Sequence, residues 1–199
     1  LRPEFCEARK KMKLRSGITE RVFVFFGGSD PHNLTGMTLR ALSDPELACI
    51  EADIVIGENN PYQGEINELA QARSNTNLHI QLDDMASVMA KADFAIGSGG
   101  VNTWERACLG LPSITIGYSE NHQVLLRDLV KYRYITHLGL VTEVNERILR
   151  QNLKRKIAEQ DILKEEAARI VQLTTGKGRI KVAAKIMHSR LSISIASDE

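Results

Sequence analysis

Short apolar runs alternate along the chain with stretches in which apolar positions recur at helical spacing. "RVFVFFGG" (residues 21–28) is a continuous apolar run ending in glycines, the pattern of a strand buried on both faces. In "DPHNLTGMTLRALSD" the positions Leu34, Met37, Leu39 and Leu42 supply a helix, with Asp30 as the expected N-cap and Pro31 in the first turn. "EADIVIG" (51–57) predicts a second strand, and "YQGEINELAQARSN" a helix broken by Asn75-Thr76-Asn77. A third strand is expected in "LHIQL" (78–82), then the short helix "MASVMAKA" capped by Asp83 or Asp84. "DFAIG" and "LPSITIG" (111–117) predict strands that flank the helix "VNTWERACLG". "NHQVLLRDLVKYR" reads as a helix and "YITHLGLV" holds a sixth, short strand.

This alternation predicts an α/β protein, a Rossmann-like doubly wound parallel sheet with helices on both faces and right-handed crossovers. Residues 1–20 read as a polar, basic linker or entry segment, and residues 21–143 as the core of the domain. Residues 144–190 carry further helices of the same domain, among them "RIKVAAKIMHSRL", and residues 191–199 a frayed tail.

Composition narrows the class. Of 199 residues, 43% are hydrophobic and 26% charged, enough apolar material for a real core. The formal net charge of +1 supplies no general pull toward nucleic acid or acidic lipid. No apolar run approaches the ~20 residues that span a bilayer, and the charged stretch 1–17 does not read as a secretory signal, so none is expected. Cys6, Cys49 and Cys108 are odd in number and scattered, which fits reduced thiols in a cytoplasmic protein without a zinc site.

The chemistry concentrates where strands become helices. In doubly wound folds, ligands bind beyond the carboxyl ends of the strands. "IGSGGVNTWE" sits at such an end: Gly97, Gly99 and Gly100 allow close backbone approach, Ser98 and Thr103 add hydroxyls, and the next helix offers unpaired N–H groups. "FFGGSDPHN" repeats the arrangement at the first strand with Gly27, Gly28 and Ser29. Two such turns in one sheet suggest a diphosphate between them, although neither is a P-loop or a GxGxxG fingerprint. The alternative is glycines that only permit tight turns. Glu105, just inside the helix, suits the two hydroxyls of a ribose, or else serves only as a carboxylate at the helix dipole. Trp104 reads as core, His32 and His79 as structural or surface groups, and His122 as either an acid–base group or a cap.

These residues carry a resemblance. "FVFFGGSDPHNLT" followed by "IGSGGVNTWERACLGLPSITIGYSENHQ" resembles the nucleotide-binding half of the UDP-sugar hydrolases of pseudaminic acid biosynthesis. That family is similar in turn to the N-acetylglucosaminyltransferase that makes lipid II. Both have the GT-B architecture, two Rossmann-like domains around a cleft, and the resemblance spans residues 1 to about 140. It implies UDP or a UDP-sugar, carrying a 2,4-diacetamido-trideoxy hexose, as ligand. Gly27, Gly28 and Ser29 would then border the sugar and diphosphate. The backbone at Ile80 would hold the uracil edge, and Glu105 the ribose. Ser98, Gly99, Gly100, Val101 and Asn102 would cradle the phosphates through backbone N–H groups, with Asn121 and Gln123 reaching the sugar or its phosphate. The family's first-domain turn of the form GxGHxxR, whose histidine assists water attack, is absent from these 199 residues. The resemblance therefore implies a carboxyl-terminal half that binds UDP, holds no catalytic residue of its own, uses no metal or cofactor, and docks on an amino-terminal domain. An apolar face left open by that domain would favour a dimer.

Two other functions fit the same residues. One is the UDP-binding domain of a GT-B glycosyltransferase; the other is a non-catalytic nucleotide-sugar-binding module. A flavodoxin-like response module fits less well, because Asp30, Asp53 and Asp93 lie at different strand ends or starts.

Overall fold

The computed structural model describes residues 1–178. In chain order the elements are α1 (Pro3–Lys11), β1 (Arg21–Phe25), α2 (Leu34–Leu42), β2 (Glu51–Ile56), α3 (Gln63–Ala72), β3 (Thr76–Ile80), α4 (Met85–Lys91), β4 (Phe94–Ser98), α5 (Asn102–Cys108), β5 (Ser113–Gly117), α6 (Glu120–Lys131), β6 (Thr136–Leu140), α7 (Glu146–Ala158) and α8 (Gln160–Ile170). The strands form one sheet in the order β3-β2-β1-β4-β5-β6, every neighbouring pair parallel. This is the expected Rossmann-like α/β architecture. The chain runs outward from β1 to β3, returns through α4, and lays β4 beside β1. The order therefore reverses between β1 and β4, with Phe25 opposite Gly97.

Alternation along the strands divides the core. Val22, Val24 and Phe26 pack with Leu39, Ile66, Leu149 and Leu153 under α2, α3 and α7. On the opposite face Phe23, Val55 and Ala95 pack with Met89, Leu109 and Phe5 under α1, α4 and α5. A third cluster joins Ala107, Leu126, Leu129 and Ile170, with Trp104 against its edge. No helix among the described residues is long and apolar enough to cross a membrane.

Several local features differ from the sequence expectation. The entry segment is helical over Pro3–Lys11, although Phe5 is its one fully buried large residue. Pro3 suits the first helical turn, and Arg9 donates to the Cys108 carbonyl at 2.6 Å, tying α1 to α5. The N-cap of α2 is Asn33, not Asp30; its side chain accepts from Gly36 N–H. Asp30 lies buried in the turn before it and accepts from the N–H groups of Leu34 at 3.0 Å and Thr35 at 2.8 Å. Strand β3 begins at Thr76, inside the stretch expected as a break, because an edge strand pairs its backbone without needing apolar side chains. The helix expected in "RIKVAAKIMHSRL" and the tail at 191–199 lie outside the described residues.

Candidate functional site

Because β1 and β4 are neighbours, the two glycine-rich turns lie side by side at the carboxyl edge, where the strand order reverses. That is the ligand crevice of open α/β sheets. The glycines there divide into two kinds. A Cβ on Gly97 would lie 2.7 Å from Nη1 of Arg106 and would strike the carbonyl of Phe25; one on Gly99 would strike Leu126. These two serve packing. Gly100 has nothing nearer than Ser98 Oγ at 4.0 Å, and Gly27, at φ +106°, has nothing within 4 Å. These two leave the backbone open to a ligand. Gly28 accepts from Gly57 N–H at 3.1 Å, joining the β1 and β2 turns backbone to backbone.

Helix α5 starts without a side-chain cap. The N–H groups of Gly99, Gly100, Val101 and Asn102 have no acceptor among the described residues, whereas Thr103 and Trp104 bond back to Gly100 and Val101. Val101 is 72% exposed at this turn. Uncapped N–H groups at the positive end of a helix favour an anion. Ser98 and Thr103 are buried, and the Thr103 hydroxyl accepts from Arg106 at 3.0 Å.

Glu105 is buried on the α1 side of the turn. Its Oε1 lies 3.4 Å from Arg2 Nη2, and its Oε2 is buried with no partner among the described residues. Burial raises the pKa of this carboxyl, and Arg2 pulls the other way. On the opposite wall the Tyr118 hydroxyl reaches Phe26 O at 2.8 Å and Asp30 Oδ1 at 3.0 Å, and the ring stacks on His32. Gly28 and Ser29 are exposed at that wall. Ile80 is 44% exposed at the carboxyl end of β3, three strand spacings (roughly 14 Å) from β4. Asn121 and Gln123 lie in the first turn of α6, which leaves the same edge; the side chains of residues 121–125 lie outside those described.

Three side chains at the site carry no sequence signal. Arg2 belongs to the segment read as a linker. Tyr118 follows β5 with no motif of its own. Arg106 is a charged residue on a short helix, yet it is 1% exposed and donates from Nη2 to Ser98 O at 2.8 Å. Burial lowers its pKa to about 10, which keeps it charged at neutral pH. Among the described residues no cluster of His, Cys, Asp and Glu has the makings of a metal site. Two cavities of about 530 Å³ lie elsewhere, one near Glu51 and Asn77 and one between α1 and α4.

Comparison with known proteins matches residues 22–174 to the glycosyltransferase family 28 C-terminal domain. The spore coat polysaccharide biosynthesis protein SpsG of Bacillus subtilis is 26% identical over 185 residues, covering 92% of this chain and 54% of SpsG. Among solved structures, Acinetobacter baumannii MurG superposes with a TM-score of 0.68 at 16% identity, covering 85% of this chain and 52% of that one. The UDP-GlcNAc 2-epimerase of Neisseria meningitidis, solved bound to UDP-GlcNAc, superposes at 0.59 with 12% identity, covering 83% and 42%. The structural likenesses show the fold, and the chain spans about half the length of SpsG and of MurG.

Proposed function

The chain belongs to the glycosyltransferase family 28 C-terminal domains, and from that premise we propose that it is the nucleotide-sugar-binding half of a GT-B glycosyltransferase-type protein, with UDP as the nucleotide. The observation that carries this reading is the uncapped start of α5 beside Gly27 and Gly100, the two turn glycines with free space around them. The diphosphate would sit on the N–H groups of residues 99–102. Glu105, with one oxygen unpartnered, would accept the ribose hydroxyls, and the base would extend toward Ile80. The sugar would lie toward Gly27, Gly28 and Ser29 and the start of α6 at Asn121 and Gln123.

In sugar transfer, the leaving UDP is stabilised by donors aimed at its developing charge, and the helix end supplies them. The acceptor, or water in a hydrolase, would be activated by groups on a partner domain. Hydrolysis of a 2,4-diacetamido-trideoxy UDP-sugar rests on the GGSDP and NHQ resemblance alone. The family match and the likeness to SpsG, a polysaccharide biosynthesis protein, favour transfer.

Calorimetry with UDP, UMP and ADP tests the reading. UDP binds saturably at one site, ADP binds more weakly, and Glu105→Ala weakens UDP. Equal affinity for ADP and UDP would remove the uracil assignment, and no UDP binding would remove the function. The chain alone releases no UDP from UDP-sugars.

A further inference from the structure

Arg106 is a charge buried without a dedicated counter-ion. It is 1% exposed, and of its three guanidinium nitrogens Nε and Nη1 are buried with no partner among the described residues. Only Nη2 is engaged, with the Ser98 carbonyl and the Thr103 hydroxyl, both neutral acceptors. The one carboxylate close in the chain, Glu105, has its ion pair with Arg2 instead. The guanidinium lies under the last residues of β4: a Cβ on Gly97 would come within 2.7 Å of Nη1, so the glycine makes room for the cation. Glu105 offsets the Arg106 charge only through space, with no hydrogen bond between them; a buried cation so weakly compensated is costly, and an apolar side chain of similar volume would avoid that cost. Neutral donors would suffice to hold Ser98 O and Thr103. A positive charge in this place acts on whatever binds directly above it.

We propose that Arg106 is an electrostatic positioning residue for the phosphates. Its charge, held beneath the β4–α5 turn, raises the potential at the open N–H groups and is balanced when an anion occupies them. The inference rests on the nucleotide reading above and deepens it, because it assigns selectivity for the charged part of the ligand to a side chain that does not touch solvent. Glu105, on the flank of the turn, serves the neutral nucleoside; Arg106, beneath it, serves the diphosphate. Low local dielectric strengthens such a through-space interaction relative to water.

The test is calorimetry on wild type, Arg106→Met and Arg106→Lys with UDP, UMP and uridine. Arg106→Met is expected to weaken UDP by about tenfold or more, to weaken UMP less, and to leave uridine unchanged within error. Arg106→Lys restores most of the UDP affinity. Without ligand, Arg106→Met melts below wild type because the buried Ser98 carbonyl and Thr103 hydroxyl lose their donor; the split between UDP and uridine, which a purely structural arginine would not give, is the deciding readout. Wild-type UDP affinity in a folded Arg106→Met, or equal weakening of UDP and uridine, would overturn the proposal while leaving the nucleotide site intact. Absence of UDP binding by the wild type would overturn both. Inorganic pyrophosphate gives a readout that does not depend on the methionine variant. It raises the melting temperature of wild type and of Arg106→Lys beyond sodium chloride at equal ionic strength; no such rise would overturn the proposal.

Discussion

The Tyr118 hydroxyl lies 2.8 Å from the main-chain oxygen of Phe26, so a side chain following β5 is fastened to the turn following β1, across the end of β4. The same hydroxyl lies 3.0 Å from Asp30 Oδ1, and Asp30 holds the first N–H groups of α2. Burial and the Asp30 charge push the phenol well above its ordinary pKa, so it remains a donor throughout the accessible pH range. Tyr118→Phe keeps the stacking on His32 and loses the tie. It is expected to cost about 1 kcal/mol, read as a melting temperature lower by roughly 2–4 °C for a chain of this size.

The glycines make a paired prediction. Gly97→Ala drives a methyl into Phe25 and Arg106 and is expected to cost about 1–3 kcal/mol in denaturant unfolding, as overpacking does. Gly100→Ala meets open space and should change stability by less than about 0.5 kcal/mol. Ligand binding reverses the comparison, because the methyl on Gly100 occupies space proposed for the phosphates. A folded Gly100→Ala protein with unaltered UDP affinity would return this glycine to a turn-forming role.

Glu105 couples stability to pH with a definite sign. Its pKa is raised in the folded protein, so the folded state holds the proton more tightly than the unfolded chain. Stability from this group therefore falls as pH rises from the unfolded value, about 4.3, through the raised one, and no difference remains below both. Glu105→Gln removes the buried charge. It is expected to unfold at higher urea than wild type at pH 7, and the two curves should converge near pH 4. The same variant binds UDP and uridine more weakly. Gained stability with lost binding is the signature of a carboxylate kept for a ligand.

Away from the site, Lys156 and Glu166 form a buried ion pair that joins α7 to α8. Burial raises the Glu166 pKa while Lys156 lowers it. Lys156→Met strands the carboxylate and is expected to cost about 3–5 kcal/mol, whereas Lys156→Met with Glu166→Leu is expected to be near neutral or stabilising. Chemical denaturation of the two variants checks the difference.

Much of the fold was legible because the central parallel strands are buried on both faces: β1 stands out as an unbroken apolar run, and β2, β4 and β5 as short apolar stretches, β2 interrupted by Asp53 and β5 by Thr115. Strand β3 was found but placed two residues late, since its first residues, Thr76 and Asn77, sit at the sheet edge and only their backbone has to pair. Helix α1 was hidden because it buries a single large side chain, Phe5, which leaves no periodic stripe. Position 30 misled for a different reason: Asp30 does hold N–H groups of α2, but φ values of 37° at Asp30 and 50° at Asn33 turn the chain once more before the helix starts. At the site, the glycines were visible and their separate duties were not. That Gly97 lies against Phe25 and the Arg106 guanidinium, while Gly100 faces open space, depends on how β4 and α5 dock on the rest of the sheet. Arg106 was invisible because a cation on a short helix reads as surface until the helix is docked.

Amide NMR during a UDP titration tests the central claim most directly, because it reports on the main-chain N–H groups themselves. Residues 99–102 are expected to show the largest saturable shifts, with smaller ones at Gly27 and Gly28 and none around the α7–α8 pair. Shifts confined to the cavities near Asn77 or between α1 and α4, or no saturable shift at the β4–α5 turn, would contradict the account.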